Sequence, residues 1–141
     1  TGPAATDWND QLAGFSHWGA NSVDLAAPGH RILSLYPTDN PDGRPECAPP
    51  ATCLVVYESG TSMAAPHVSG TAALVLGLNP KQTAEDVRRK LLASAERLKG
   101  LTPDQQGAGL VNAAGAVTSP PLRPPGRVKQ EDGGPERLKP R

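Results

Sequence analysis

The sequence contains few aromatic residues and no extended apolar segment, and its charges balance. It has two Trp, two Tyr and one Phe among 141 residues. No apolar stretch approaches the roughly 20 residues that a membrane-spanning helix needs. The 14 basic and 14 acidic residues leave no formal net charge, and no basic cluster carries interleaved aromatic residues. We therefore expect neither membrane insertion nor nucleic-acid binding through phosphate neutralisation.

Cysteine is almost absent, which limits the kinds of site that the chain can form. The two cysteines, Cys47 and Cys53, flank a Pro-containing segment, and the three histidines, His17, His30 and His67, are scattered. A zinc site needs His or Cys ligands at close spacing, so we expect no metal site. The C-x5-C spacing leaves two interpretations, a small loop disulfide or two free thiols, and we favour the disulfide, formed in an oxidising compartment.

The ends of the chain differ from its middle. The sequence begins at Thr1 rather than at Met and shows no signal-peptide pattern, as expected of a processed or partial chain. Residues 1–117 have the length and composition of one domain. Residues 118–141 are rich in proline and charge, so we expect a disordered tail or a linker, because this segment buries too little apolar surface to offset its ordering entropy.

Apolar patterns in the first half of the chain predict short strands. Residues 12–19 are predicted to form a strand end running into a turn, and residues 23–29 a short strand. The apolar runs at 30–36 and 53–57 predict a β-hairpin, connected by residues 37–52. A connection of this length is usually functional, disordered or inserted.

The second half of the chain predicts helices. Residues 63–78 are predicted to form a helix with one apolar face and an opposite face of small, uncharged residues. We expect this helix to be buried nearly all round in a complete domain. Without the upstream strands, we expect it to expose apolar surface. Pro66 is tolerated near the helix start. Thr83 and Asp86 have capping-box spacing and begin a helix that ends at Gly100. Residues 107–117 predict a short strand or turn, then a final helix.

The segment Glu58–Gly70 carries the strongest chemical signal. It reads ESGTSMAAPHVSG, so that a strand ends, Gly60 turns the chain and Ser62 lies where a helix begins. The positive end of a helix stabilises negative charge, and the N–H of Ser62 can donate to a developing oxyanion. Gly60 lets a substrate backbone approach closely. A second interpretation is that Ser62 is an ordinary N-cap residue.

This motif closely resembles the nucleophile motif of the subtilisin-like serine peptidases. Upstream, F-S-x-x-G at 15–19 and VDLAAPG at 23–29 are similar to that family in register. Downstream, VRRKLL at 87–92 and GAGLVNAAGA at 107–116 are also similar. The resemblance covers about residues 4–117. It implies an α/β fold, namely the C-terminal portion of a mostly parallel sheet with flanking helices and a β-hairpin.

The resemblance also assigns roles to individual residues. It makes Ser62 the catalytic nucleophile and places Thr61 and Met63 beside the oxyanion site, although Met63 also fits a plain core position. It makes His67 a structural histidine. Asp24 matches an aspartate near a weak cation site in some relatives, but we favour a turn or surface carboxylate and assign no metal here. The resemblance allows calcium elsewhere in a full-length protein, and implies extracellular location.

The partners that a nucleophilic serine needs are missing from the sequence. Family members carry the acid in D-T-G or D-S-G, the base in H-G-T-H, and an oxyanion asparagine upstream, and these motifs do not occur here. Asp10, His17 and Ser62 occur in the right order, but His17 matches a loop position and Asp10 lies in a polar turn. An α/β-hydrolase elbow needs its histidine after the serine, and the only one there, His67, is too close.

Two functions remain open from the sequence. We expect a serine endopeptidase that acts on protein or peptide substrates through an acyl-enzyme on Ser62. In this interpretation the chain is part of a catalytic domain, is inactive alone, and needs the missing N-terminal part of the same domain. The alternative is a non-catalytic remnant or interaction module that keeps the fold. The reading frame upstream of Thr1 distinguishes the two.

Overall fold

The computed structural model describes residues 2–47, 49–50 and 53–118 as an α/β arrangement of small sheets and helices. The strands are β1 (Gly2–Thr6), β2 (Val23–Pro28), β3 (Ile32–Leu35) and β4 (Val55–Glu58), and the helices are α1 (Thr61–Leu78), α2 (Ala84–Ser94), α3 (Pro103–Gln106) and α4 (Ala113–Thr118). Within these residues, no helix has both the length and the apolar character needed to span a membrane.

Strands β1 and β2 form a parallel pair that is the centre of the described structure. Ala4 pairs with Ala26 and Ala5 with Ala27, and all four are fully buried. Helix α1 packs against both strands; small side chains at these positions allow it to approach closely. Of the predicted strand end and turn at 12–19, the strand is reduced to an isolated bridge between Thr6 and Leu12, and a turn follows at residues 14–15.

Strands β3 and β4 form the predicted hairpin. They are antiparallel, with Leu33 opposite Tyr57 and Leu35 opposite Val55. These four side chains are exposed. Because successive side chains of a strand point to opposite faces, the residues between them face the other way, towards the start of α1.

Helix α1 begins two residues before the predicted start. Pro66 therefore lies beyond the first turn, where its ring removes the amide hydrogen that would bond to the Ser62 carbonyl. The helix buries only Ala64, Thr71 and Val75. Leu74 and Leu78 are 56% and 66% exposed, because the two-stranded sheet covers only one side of the helix.

Helix α2 has the predicted start but not the predicted end. The Asp86 N–H donates to Thr83 Oγ1 at 3.2 Å, and the Thr83 N–H donates to Asp86 Oδ2 at 3.1 Å, which confirms the capping box. The helix ends at Ser94 rather than Gly100, because Glu96 leaves the helical path and pairs with Leu110.

The largest apolar cluster in the described residues joins α2 to β2, α1 and α4. Its buried members are Leu25, Val75, Val87, Leu91 and Ala116.

The C-terminal part folds back onto β2. The Leu110 pairing with Ala26, followed by α4, confirms the predicted strand or turn and final helix, whereas the short helix α3 was not predicted. Buried Gln106 of α3 donates to the carbonyls of Leu98 and Leu101 and so secures the preceding segment. Of the predicted tail at 118–141, Thr118 ends α4, and residues 119–141 lie outside the described residues.

Candidate active site

The start of α1 is held at the carboxyl ends of the parallel strands by two glycines. The Gly60 N–H donates to the Gly29 carbonyl at 2.8 Å, and the Gly29 N–H donates to the Thr6 carbonyl at 2.9 Å. A Cβ at Gly29 would lie 2.6 Å from the Ala5 Cβ and 2.7 Å from the Gly60 oxygen. Only glycine permits this approach, which places the residues after Gly60 at the edge of the sheet where open α/β folds bind ligands.

Ser62 is the second residue of α1 and is exposed. The N-cap is Gly60, without a side-chain cap, so Ser62 is not the capping residue. The Gly60 carbonyl accepts from the Met63 N–H at 3.0 Å and the Ala64 N–H at 3.3 Å. Within the described residues, the Thr61 and Ser62 N–H groups have no acceptor. Two unpaired donors and the positive end of an 18-residue helix therefore lie beside an accessible hydroxyl.

Ser62 lies at the junction of two cavities. One, of about 570 Å³, lies between the hairpin and the start of α1 and is also lined by Met63 and Pro66. The other, of about 360 Å³, is lined by Thr61, Ser62 and His17. A group bound at the Ser62 hydroxyl has space on both sides, as a chain passing through the site requires.

Met63 and His67 are the neighbours of Ser62 on α1 to which the sequence assigned roles. Met63 is half-buried at the rim of the larger cavity and is not part of the apolar clusters found in the described residues. A Cβ on Gly60 would lie 3.5 Å from its sulfur. The Nδ1 of His67 is 2.9 Å from the Met63 carbonyl oxygen and donates to it. This ring is thus bonded along the helix and not to the serine.

The structure does not assemble a triad from Asp10, His17 and Ser62. His17 is exposed and lines the smaller cavity, but the described residues include no hydrogen bond from it to Ser62 or Asp10. Asp10 lies in a turn with φ 59°, where its N–H donates to the Asp7 carbonyl at 3.2 Å.

The match to a family model decides the assignment of the chain. Residues 4–116 match the model of the subtilase family of peptidases. The chain belongs to the subtilase family. The family hit covers the parallel strands, the hairpin and all four helices of this subtilase segment, apart from their outermost residues.

Individual subtilases are similar to this chain over most of its length. Halolysin of Haloferax mediterranei is 38% identical over 118 residues, which are 84% of this chain and 20% of that protein. Subtilisin BL of Lederbergia lenta is 40% identical over 115 residues, which are 80% of this chain and 36% of that protein. The chain thus spans only about a fifth to a third of the length of these relatives.

Solved subtilase structures share the fold. Fervidolysin from Fervidobacterium pennivorans superimposes with a TM-score of 0.70 at 33% identity, covering 84% of this chain and 19% of that one. A protease from Pseudoalteromonas arctica gives a TM-score of 0.66 at 33% identity, covering 81% and 34%. The chain therefore has the fold of a part of a subtilisin-like domain.

Asp24 of this subtilase segment has an ion-pair partner. Its Oδ1 lies 3.1 Å from Nη2 of Arg88 on α2, and both side chains are partly exposed. Among the described residues, no group of three His, Cys, Asp or Glu side chains is placed to hold a metal ion.

The hairpin connection of this subtilase contains the disulfide favoured from the sequence, between Cys47 and Cys53, with their Cα atoms 5.1 Å apart. It also contains a set of ion pairs that sequence reasoning missed. Arg44 pairs with Glu58 of β4, and its nitrogens also lie 3.8 Å from Glu46 and 4.0 Å from Asp42. No periodic signal links Arg44 to Glu58, because their contact depends on how the hairpin closes.

Proposed function

We propose that this chain supplies the nucleophile of a serine endopeptidase, with Ser62 attacking peptide bonds of protein or peptide substrates. The observation that carries the proposal is the accessible Ser62 hydroxyl, which lies at the start of α1 beside unpaired backbone donors. Membership of the subtilase family supports the same chemistry.

The residues of this chain supply the nucleophile and a donor to the oxyanion. The Ser62 oxygen attacks the substrate carbonyl carbon while its proton passes to an imidazole, and the carbonyl oxygen becomes an anion. The Ser62 N–H donates to that oxyanion, and the α1 dipole stabilises it. The C–N bond then breaks, the amine leaves with the proton, and water releases the acyl group from Ser62. Thr61 and Met63 flank this centre.

The general base and the residue that orients it come, in this proposal, from an upstream part of the same domain. Neither His17 nor His67 is hydrogen-bonded to Ser62 in the described structure, and the chain spans about a fifth to a third of its relatives. A serine without its base is a weak nucleophile. We therefore infer that this chain alone has no measurable peptidase activity.

The disulfide supports an extracellular location. Disulfides persist in oxidising compartments and are rare in the cytosol, and Cys47 and Cys53 form such a bond in the hairpin connection. This bond therefore supports our proposal that the parent protein is secreted.

Labelling with a fluorophosphonate tests the proposal. The parent protein, expressed from its full reading frame, should be labelled at Ser62, and the isolated chain should not. Ser62→Ala should abolish labelling of the parent protein. Ser69→Ala removes another exposed hydroxyl of α1 and should leave labelling unchanged.

Three results would count against the proposal. Strong labelling of the isolated chain at Ser62 would show that no upstream base is needed. A full reading frame without H-G-T-H and D-T-G or D-S-G motifs would favour a non-catalytic remnant. Labelling of the parent protein that survives Ser62→Ala would place the nucleophile elsewhere.

A further inference from the structure

The exposed face of the β3–β4 hairpin is apolar. It is made by Leu33 and Leu35 of β3 and by Tyr57 and Val55 of β4, which lie opposite them in the pairing register. The exposed fractions of Leu33, Leu35, Val55 and Tyr57 are 52%, 84%, 47% and 56%. An antiparallel sheet with one solvated face normally carries polar residues on that face. Four large apolar side chains there indicate a surface that another molecule covers.

The opposite face of the hairpin is less apolar. The alternate residues Ile32, Ser34, Val56 and Glu58 form it and face the start of α1. Two of these four are polar or charged, so the hairpin directs its more apolar face away from the helix that follows it. A two-stranded hairpin is marginally stable in water unless it packs against another element. The distribution of side chains therefore favours a second layer on the exposed face.

A positive charge lies at one end of the exposed face, at the base of the hairpin. Arg31 directly precedes β3, and its Cζ lies 5.0 Å from the centre of the Tyr57 ring. Arg31 is exposed. Among the residues that the structure describes, no carboxylate forms an ion pair with it. This guanidinium is therefore available to a carboxylate of a partner.

The connection at the other end of the hairpin has an excess of negative charge. Its charged residues are Asp39, Asp42, Arg44 and Glu46. Arg44 also pairs with Glu58 of β4, so it does not neutralise the connection. The hairpin is thus positive at its base and negative at its connection.

We propose that the exposed face of the hairpin is a dimer interface, which packs on the same face of a second copy of this chain. A two-fold contact uses the same patch on both subunits, and two apolar sheet faces pack on each other as the layers of a sandwich do. The charges select the orientation. When the two-fold axis crosses the strands, the base of each hairpin lies over the connection of the other, and each Arg31 faces carboxylates. An axis along the strands would bring the two Arg31 side chains together, which like-charge repulsion disfavours.

The size of the exposed face corresponds to a weak, reversible dimer. Large apolar side chains that are about half exposed present on the order of 100 Å² each. Two faces of four such side chains, with Arg31 and the connection at the rims, bury about 1,000 Å², which is near the lower limit for a specific interface. The face points away from the cavity that contains Ser62. The dimer therefore leaves the candidate nucleophile accessible, and the proposal does not depend on the chemistry of Ser62.

Sedimentation of the parent protein tests the apolar part of the interface. The parent protein is used because, in our proposal, its upstream part covers the apolar side of α1, which would otherwise associate as well. Wild type should show a monomer–dimer equilibrium at micromolar concentrations. Leu33→Gln combined with Leu35→Gln should raise the dimer Kd by about tenfold or more, because it removes apolar area from the centre of the contact. Trp8→Gln removes an exposed apolar side chain outside the hairpin and should leave the Kd unchanged.

Charge reversal tests the orientation. Arg31→Glu and Asp39→Arg should each raise the Kd several-fold at low salt, because each places like charges opposite one another. The combined variant should recover most of the lost affinity, because opposite charges face each other again. High salt should reduce these differences. Arg97→Glu makes the same change at an exposed position outside the hairpin and should leave the Kd unchanged.

Each alternative result overturns a defined part of the proposal. A parent protein that stays monomeric shows that the face is solvated or is covered within one chain, and overturns the dimer. A dimer whose Kd does not change in the Leu33 and Leu35 variant uses another surface and also overturns it. A combined charge variant no tighter than the single variants overturns the orientation.

Two further measurements keep these results separable. Circular dichroism checks that each variant folds; if the double leucine variant does not, Leu35→Gln alone replaces it and should raise the Kd several-fold, since this side chain is 84% exposed. Fluorophosphonate labelling is read on the same samples. A labelled monomer overturns the dimer and leaves the proposed function intact, whereas an unlabelled dimer does the reverse.

Discussion

Gly29 is the residue on which the position of the candidate nucleophile depends most directly. It is buried at the end of β2, and its carbonyl accepts from the Gly60 N–H at 2.8 Å. The Cβ of any other residue would lie 2.6 Å from the Ala5 Cβ and 2.7 Å from the backbone oxygen of Gly60, which cannot move cheaply. The start of α1, and with it Ser62, is therefore placed by a contact between two glycines.

Replacing Gly29 should displace the serine. Gly29→Ala forces Ala5 or Gly60 to shift, so we expect the parent protein to lose about 1–3 kcal/mol of stability and at least tenfold in its fluorophosphonate labelling rate. Gly14→Ala is the matched control, because a Cβ at Gly14 meets no atom within 4 Å. Gly14→Ala should change stability by less than about 0.5 kcal/mol. Equal labelling of the two variants would refute the role of Gly29.

The ionisation of Asp86 contributes to the stability of helix α2. Hydrogen bonds from the Thr83 side chain and backbone, together with Arg89, lower the pKa of Asp86 from its ordinary 3.8. A carboxyl whose pKa is lower in the folded state stabilises that state when it is ionised. The contribution of Asp86 is therefore present above pH 3.8 and is lost as the pH falls through its lowered folded pKa.

The Asp86→Asn variant should reveal this dependence. At pH 7 we expect the variant to unfold at a lower temperature than wild type, because it loses the ionised half of the capping box. The difference should shrink as the pH is lowered below 3.8, since protonation removes the same interaction from wild type. Glu85→Gln leaves the capping box intact and should follow the wild-type trend. A difference in unfolding temperature that stays constant from pH 7 to pH 2 would contradict this account.

The elements that were predicted from the sequence are those with local signals. The hairpin, helix α1 and the start of α2 follow from apolar runs, a glycine turn and a capping pair. Strand β1 was missed because its sequence, GPAAT, has no alternation of apolar and polar residues. The end of α2 was misplaced because Glu96 pairs with Leu110, a residue distant in the sequence, and so cannot continue the helix.

The candidate site was predictable only in part for the same reason. The position of Ser62 at the start of a helix follows from a contiguous motif, as does the spacing that excludes His67 as its base. The contacts of Arg44 with Glu58 and Tyr36 join residues on different parts of the hairpin and its connection. Such contacts depend on tertiary closure, for which the sequence carries no periodic signal.

The molecule leaves apolar surface uncovered on the side of α1 away from the β1–β2 pair. Leu74 and Leu78, which lie one helical turn apart, are 56% and 66% exposed. Exposed apolar surface of this kind marks an interaction face or an aggregation liability. In our proposal, the upstream part of the domain covers it.

The isolated chain should therefore associate. We expect sedimentation of the wild-type chain to show concentration-dependent association and its thermal unfolding to be broad. Leu74→Gln combined with Leu78→Gln should reduce association, whereas Leu33→Gln, on the exposed face of the hairpin, should reduce it less. A sharp, cooperative unfolding transition of a monomeric wild-type chain would contradict this expectation.

The contact between Gly60 and Gly29 consists entirely of main-chain atoms, and this has an evolutionary consequence. Side chains of the hairpin and its connection can be replaced, lengthened or cross-linked without altering that contact. The hairpin can therefore diverge between descendants of one ancestor while Ser62 keeps its position.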